Sequence, residues 1–256
     1  MTGSNAQTPI PLNTSTLRVD ERPDRVVVTL DRPSVRNAID LGMVNELHAV
    51  CDLLERTPKP LLLTGAGGIF AAGADIAELR DRGRDEALQG INRRIFDRIA
   101  ALPQPTVAAV DGPALGGGAE LAYACDIRLA SPTAVFGNPE PGLGIMAAAG
   151  ASWRLSELLG RSVAKQVLLG GAVLDAQRAF QLGLVSEVVD AESLVGRANA
   201  LIDRIVRSSP LALRLTKALL DSPGAHPIAD ELAQAVLFET ADKRERMTAF
   251  LNRGSR

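Results

Sequence analysis

Cysteine and histidine are scarce in this chain, with two of each in 256 residues. Cys51 and Cys125 lie far apart and outside any CxxC spacing. That argues against a disulfide framework or a thiolate metal site and suits a reducing, cytoplasmic setting. As small buried hydrophobes they need no further role. His48 falls in an amphipathic pattern and His226 precedes Pro227, each without a second histidine nearby, so a histidine-based metal site is not expected. No apolar run reaches the ~20 residues a membrane helix needs. The opening MTGSNAQTPIPLNTS has neither a basic n-region nor an apolar h-region. It does not read as a secretory signal, and residues 1–14 are expected to form a disordered tail. A net charge of −2 supplies no global basic field for nucleic acid or an anionic membrane, although single basic side chains can still meet an anionic ligand.

What is present is ordinary for a soluble domain. With 46% hydrophobic and 23% charged residues, the chain can bury a large core. Val26 to Leu30, VVVTL, predicts a strand by its β-branched content. Leu41, Val44, Leu47, Val50 and Leu54 recur at helical spacing behind Asp40, which is placed to cap a helix. PLLLT at 60–64 and TVAAV at 106–110 are short continuous apolar runs, as strands covered on both faces require. A helix is expected from Asp85 to Ala101, and short strands at 127–130, 134–136 and 185–189. From Trp153 the pattern turns helical, and from Leu201 it is helical to the end, broken at SSP (208–210) and SPG (222–224). Strands alternating with helices imply an α/β core. The last helices lack a strand partner and are expected to form a separate layer or to meet another subunit.

Two glycine-rich loops follow buried strands, Gly65 to Asp75 and Asp111 to Glu120. Neither is a dinucleotide site: the third glycine of GxGxxG would fall at Phe70, and no loop ends in GK[ST]. Two readings remain for them. They are tight turns for close packing, or they expose backbone amides at helix N-termini, where an anion or a developing oxyanion is favoured. Two acidic residues stand out. Glu120 follows Gly116, Gly117 and Gly118 at a helix start, where the dipole alone favours a carboxylate. Glu140 sits between Pro139 and Pro141, which predicts a stiff extended turn and, for a loop residue taken alone, solvent exposure. There is no G-x-S-x-G element to suggest a serine nucleophile.

Taken together, LDRPSVRNAID, GIFAAGADIAEL, VAAVDGPALGGGAELAYACDIRLAS, AFQLGLVSEVV and FETADKRERMTAFLNR resemble the enoyl-CoA hydratase/isomerase family, or crotonases, over nearly the whole chain. The resemblance implies an α/β spiral of ββα units over 15–200 and a helical C-terminal oligomerisation region over 201–256, used in a homotrimer or a dimer of trimers. It implies an acyl-CoA thioester as substrate, with coenzyme A the only cofactor-like group. In the family pattern Ala74 and Gly117 supply the two oxyanion amides. Glu120 holds a water and Glu140 donates a proton. Arg36 matches a position that contacts coenzyme A phosphates, and Ala72, Asp75, Ile76, Gly116 and Ala148 are implied substrate contacts. The family's hydratases carry both glutamates, so hydration of a 2-enoyl-CoA is the implied activity. Isomerisation or hydrolysis of an acyl-CoA, or acyl-CoA binding without catalysis, are the alternatives. Burial and like charge are expected to raise at least one of the two carboxyl pKa values toward neutrality. The chain departs from the family where a glycine cluster often follows the second glutamate. Here the segment reads GIMAAAGASW; Ala148 keeps its N–H, but the methyl groups narrow the site.

Overall fold

Strands with apolar residues on both faces need cover on both sides, and the central strands here receive it. The structure is a computed structural model that describes residues 14–222, 224 and 226–253. Apart from Thr14, the tail expected over 1–14 lies outside those residues. Strand β1 (Leu17–Glu21) runs antiparallel to β2 (Val26–Leu30). Parallel to β2 follow β3 (Leu61–Gly65), β4 (Thr106–Val110), β6 (Ile127–Ala130) and β9 (Glu187–Val188), in that spatial order. A second, three-stranded layer holds β5 (Pro113–Leu115), β7 (Val135–Gly137) and β8 (Leu174–Asp175).

The alternation along β3 shows how both faces are filled. Leu61 and Leu63 join the main core, which contains Met43, Leu47, Val50 and Leu54 of helix α1 (Leu41–Arg56). Leu62 points the other way, into a smaller cluster with Leu194, Ala198 and Ile202 of α8 (Ala191–Ile205). Asp40 caps α1 as expected, its Oδ1 accepting from the Met43 amide at 2.7 Å. The chain then climbs in units: a main-sheet strand, a short second-layer strand, a helix. β4, β5 and α5 (Gly117–Ala124) form one unit, and β6, β7 and α6 (Ala151–Leu168) another. This is the α/β spiral of ββα units.

Several boundaries differ from the sequence-based expectation. The helix expected over 85–101 is broken into α3 (Arg84–Gln89) and α4 (Ile91–Ala100), because Gly90 takes a left-handed φ of 61° between them, and a further short helix, α2 (Ile76–Asp81), precedes them. The strands expected over 134–136 and 185–189 shift by one residue and shrink to two residues, respectively. β1, β5 and β8 carry too few residues or too little apolar pattern to be read ahead of the fold. Helix α7 (Ala176–Gln181) precedes β9, and α8 straddles position 200, packing on the sheet. The chain leaves the sheet only after Ile205, through α9 (Pro210–Leu220), α10 (Ile228–Phe238) and α11 (Ala241–Arg253).

Candidate active site

The two glycine loops meet through one parallel bridge. The Ala71 amide donates to the Pro113 carbonyl at 3.1 Å, and the Leu115 amide to the Ala71 carbonyl at 3.0 Å. Three residues further along both chains, that register sets Ala74 beside Gly117. On its other side the loop pairs with Ile39, through Ile39 N to Gly73 O (2.8 Å) and Asp75 N to Ile39 O (3.0 Å). Those bonds use the groups flanking Ala74, so alternation turns its own N–H toward Gly117. A Cβ built on Gly117 would stand 3.5 Å from that nitrogen. Among the described residues neither amide donates to a protein acceptor. Buried Asn37 clamps the first loop, its Nδ2 donating to the carbonyls of Ala66 (2.9 Å) and Ile69 (2.7 Å).

The glycine triplet divides its work. Gly116 has a φ of 51°, and a Cβ there would lie 3.1 Å from Glu140 Oε1. Gly118 is a matter of packing, since its Cβ would fall 2.1 Å from the Ala71 carbonyl oxygen. A Cβ at Gly117 would meet only ordinary contacts, 3.5 Å from Ala74 N and from Asn92 Nδ2, and of the three glycines Gly117 alone lines the cavity described below.

Glu120 is 3% exposed on α5, and its Oε1 accepts from the amides of Ala149 (2.8 Å) and Ala151 (3.1 Å). Burial pushes its pKa up to about 7, and the charge of Glu140 adds to the shift, while the two amides and Arg154 oppose it. Glu140 is 8% exposed rather than solvated. It does not lie on an extended turn: it opens a 3-10 turn, Glu140–Leu143. Proline is tolerated in a first helical turn, where no N–H is needed, and here that outweighs the bias on the residue before it. Asn138 Nδ2 donates to Glu140 Oε1 at 3.4 Å, and the buried Oε2 has no protein partner among the described residues. Burial lifts this carboxyl above its usual range as well. Two such groups can pass a proton to and from a third species bound in the site.

Comparison with known proteins decides the family. The model for "Enoyl-CoA hydratase/isomerase" matches residues 24–255. The chain belongs to that family. It is 38% identical over 239 residues to a short-chain-enoyl-CoA hydratase of Clostridium acetobutylicum, covering 89% of this chain and 91% of that protein. Identity to a crotonyl-CoA hydratase of Syntrophomonas wolfei is 37% over 237 residues, with 89% and 91% covered. The solved structure of an enoyl-CoA hydratase from Bacillus anthracis superposes with a TM-score of 0.88 at 31% identity, covering 93% of this chain and 97% of that one.

In this family member, Ala74, Gly117, Glu120, Glu140 and Ala148 line one cavity of about 820 Å³. Leu79, Leu88, Ile91, Ile145 and Met146 supply apolar wall. Arg36, Ala72, Asp75, Ile76 and Gly116 do not line it. The Arg36 carbonyl accepts from the Ala72 amide at 3.0 Å, which ties those two segments together. The Asp75 carboxylate caps α2, accepting from Ala77 N at 3.1 Å. Ile76 begins that helix and is exposed, and Gly116 backs Glu140. Ala148, implied as a substrate contact, lines the cavity, and the amides that hold Glu120 belong to its neighbours on the same segment, Ala149 and Ala151. Sequence reasoning missed these amides, and also Asn138 and Arg154. A backbone amide leaves no mark in a sequence, so only Asn138, two residues before Glu140, carried a readable signal.

Proposed function

We propose that the protein is an enoyl-CoA hydratase, adding water across the 2,3 double bond of a 2-enoyl-CoA thioester to give the 3-hydroxyacyl-CoA. The observation that carries this reading is the burial of Glu120 and Glu140 in the cavity that the Ala74 and Gly117 amides also line. The names of its relatives, short-chain-enoyl-CoA hydratase and crotonyl-CoA hydratase, support it.

The amides of Ala74 and Gly117 donate to the thioester oxygen. As water attacks C3, electrons move toward that oxygen, where preorganised donors are worth about 2.7–4 kcal/mol each. The N-terminus of α5 adds its dipole. Glu120 Oε1 is held by two amides, leaving the other oxygen to orient the water and take its proton. Glu140 Oε2 gives a proton to C2. The two carboxyls begin and end with one proton between them, since the water supplies one hydrogen and the C2 centre gains one. There is no net change of oxidation state, because C2 gains hydrogen as C3 gains oxygen, so the reaction calls for no redox cofactor, and the coenzyme A arrives with the substrate. Loss of enoyl absorbance with crotonyl-CoA and longer enoyl-CoAs tests the reading, together with the glutamate variants of the Discussion.

Arg36 is exposed, on the segment bonded to Ala72, and is assigned to the coenzyme A phosphates. Arg36→Ala is expected to weaken CoA-ester binding by about 3–10-fold at low salt, with less effect at high salt because an exposed charge is screened. Equal Kd values for variant and wild type at low salt would refute the assignment.

Assembly into a homotrimer or a dimer of trimers is part of the same reading. Leu232 (65% exposed), Val236 (56%), Met247 (51%) and Phe250 (77%) spread apolar surface over α10 and α11. That surface suits burial between subunits. Light scattering at micromolar concentration is expected to give the mass of at least three chains, and a monomer would end this proposal. The two buried free cysteines suit a reducing cytoplasm, and no helix among the described residues is long and apolar enough to cross a membrane.

A further inference from the structure

The amides that hold Glu120 belong to a turn that one cation closes. Arg154, on the first turn of α6, folds its guanidinium back over Gly150. A Cβ at Gly150 would lie 2.1 Å from Arg154 Nη1, and the φ of 137° there suits glycine. Nη1 donates to the Ala149 carbonyl at 3.4 Å, and Nη2 to Asp97 Oδ1 at 2.7 Å. The other Asp97 oxygen accepts from Arg93 Nη1 at 2.6 Å. The Arg154 side chain is 12% exposed. Its bridge to Asp97 joins α6 to α4, and both helices pack on α5, which carries Glu120.

We propose that Arg154 is a positioning residue for hydration: it fixes the 149–151 turn whose amides aim Glu120, and it places positive charge beside that carboxylate. The proposal rests on the reading of Glu120 as the group that handles the water. Geometry and charge act in the same direction. A loosened turn frees the Glu120 oxygen that Ala149 and Ala151 now hold, and a near-attack geometry displaced by about 1 Å costs on the order of 10²-fold in rate.

The charged surroundings of Glu120 define what removing Arg154 does. Tyr123 lies on the same helix, and Glu140 comes from the 3-10 turn. Arg154 comes from α6, with Asp97 and Arg93 of α4 behind it. Arg82 and Glu86 stand on the cavity wall. Burial and Glu140 favour the protonated form of Glu120, and Arg154 is the side chain that opposes them. Without it the carboxyl titrates higher.

The test uses the full-length protein with Arg154→Met, Arg154→Lys and Asp97→Asn. The readouts are kcat for crotonyl-CoA against pH and the Glu120 titration followed by its carboxyl ¹³C shift, assigned by the signal lost in Glu120→Gln. Arg154→Met is expected to lower kcat by about 10–100-fold and to raise the Glu120 midpoint. Arg154→Lys keeps the charge without the fork, so kcat remains several-fold low while the midpoint rises less than in Arg154→Met. Asp97→Asn keeps the Arg154 charge but frees the guanidinium, so kcat falls with a smaller rise in the midpoint than in Arg154→Met. Should Arg154→Met fail to fold, wild-type kcat in both other variants overturns the proposal, and lowered kcat in both supports it. Wild-type kcat and midpoint in a folded Arg154→Met overturn it outright. Hydration surviving in Glu120→Gln would instead sink the reading of Glu120, which is a separate result.

Discussion

Glu120→Gln and Glu140→Gln are each expected to lower kcat for 2-enoyl-CoA hydration by about 10²–10⁴-fold, the usual scale of a positioned acid or base. Glutamine keeps the volume and an acceptor oxygen, so the bonds from Ala149 and Ala151 to residue 120 can persist. What it removes is the titrating proton. Acyl-CoA affinity is expected to change little, because the Ala74 and Gly117 amides remain. The double variant is expected to lose far less than the product of the single losses, since both groups serve one step on one water. Steady-state kinetics with crotonyl-CoA check all three statements. If Glu120→Gln hydrates as well as wild type, Glu120 returns to the role of a helix-start carboxylate. Proton transfer by Glu140 alone, as in an isomerase, would then be the better reading.

The same burial predicts a stability that falls as pH rises. The Glu120 carboxyl titrates at about 7 in the folded protein against an ordinary 4.5. Between those values the folded state holds a proton that the unfolded chain has released. Stability therefore declines from about pH 4.5 upward, and the decline is complete above about pH 7. At about 1.4 kcal/mol per pH unit the full effect is about 3 kcal/mol. Glutamine at 120 carries no such penalty, so Glu120→Gln is expected to be more stable than wild type by about 1–3 kcal/mol at pH 8. The difference should shrink toward pH 5. Urea unfolding at both pH values, at one protomer concentration, measures it. A variant no more stable than wild type at pH 8 would show that the buried carboxylate is compensated. The opposed outcomes expected from one substitution, lower activity and higher stability, are what a strained functional carboxylate should give.

The neighbouring Glu140 belongs in this account through its oxygen without a protein partner. A buried acceptor left unpaired is costly in a finished fold. In a site it is the atom that a substrate or water proton can meet. That contrast is why the two glutamates, similar in sequence terms, are assigned different tasks: one is fixed by two amides and the other is open at one oxygen.

Local chemistry in the sequence determined the strands at 26–30 and 106–110, and to within one residue the strand at 61–65 expected over 60–64, through apolar runs that only a doubly covered sheet accommodates, and the cap of α1 at Asp40. The ordered loop motifs determined the family, and with it Ala74, Gly117, Glu120 and Glu140. The tertiary structure decided what those residues share. The Ala71–Ala114 pairing sets Ala74 beside Gly117, and strand pairing between distant segments has no local signal. Glu140 reads as an exposed extended loop residue because its flanking prolines describe φ and say nothing of burial. Only the packing of its 3-10 turn against Gly116 placed it inside. Glu120 reads as a helix-start carboxylate whose partners lie 29 and 31 residues away, on amides that belong to alanines. Backbone groups are common to nearly every residue, so their use is set by where the chain passes in space.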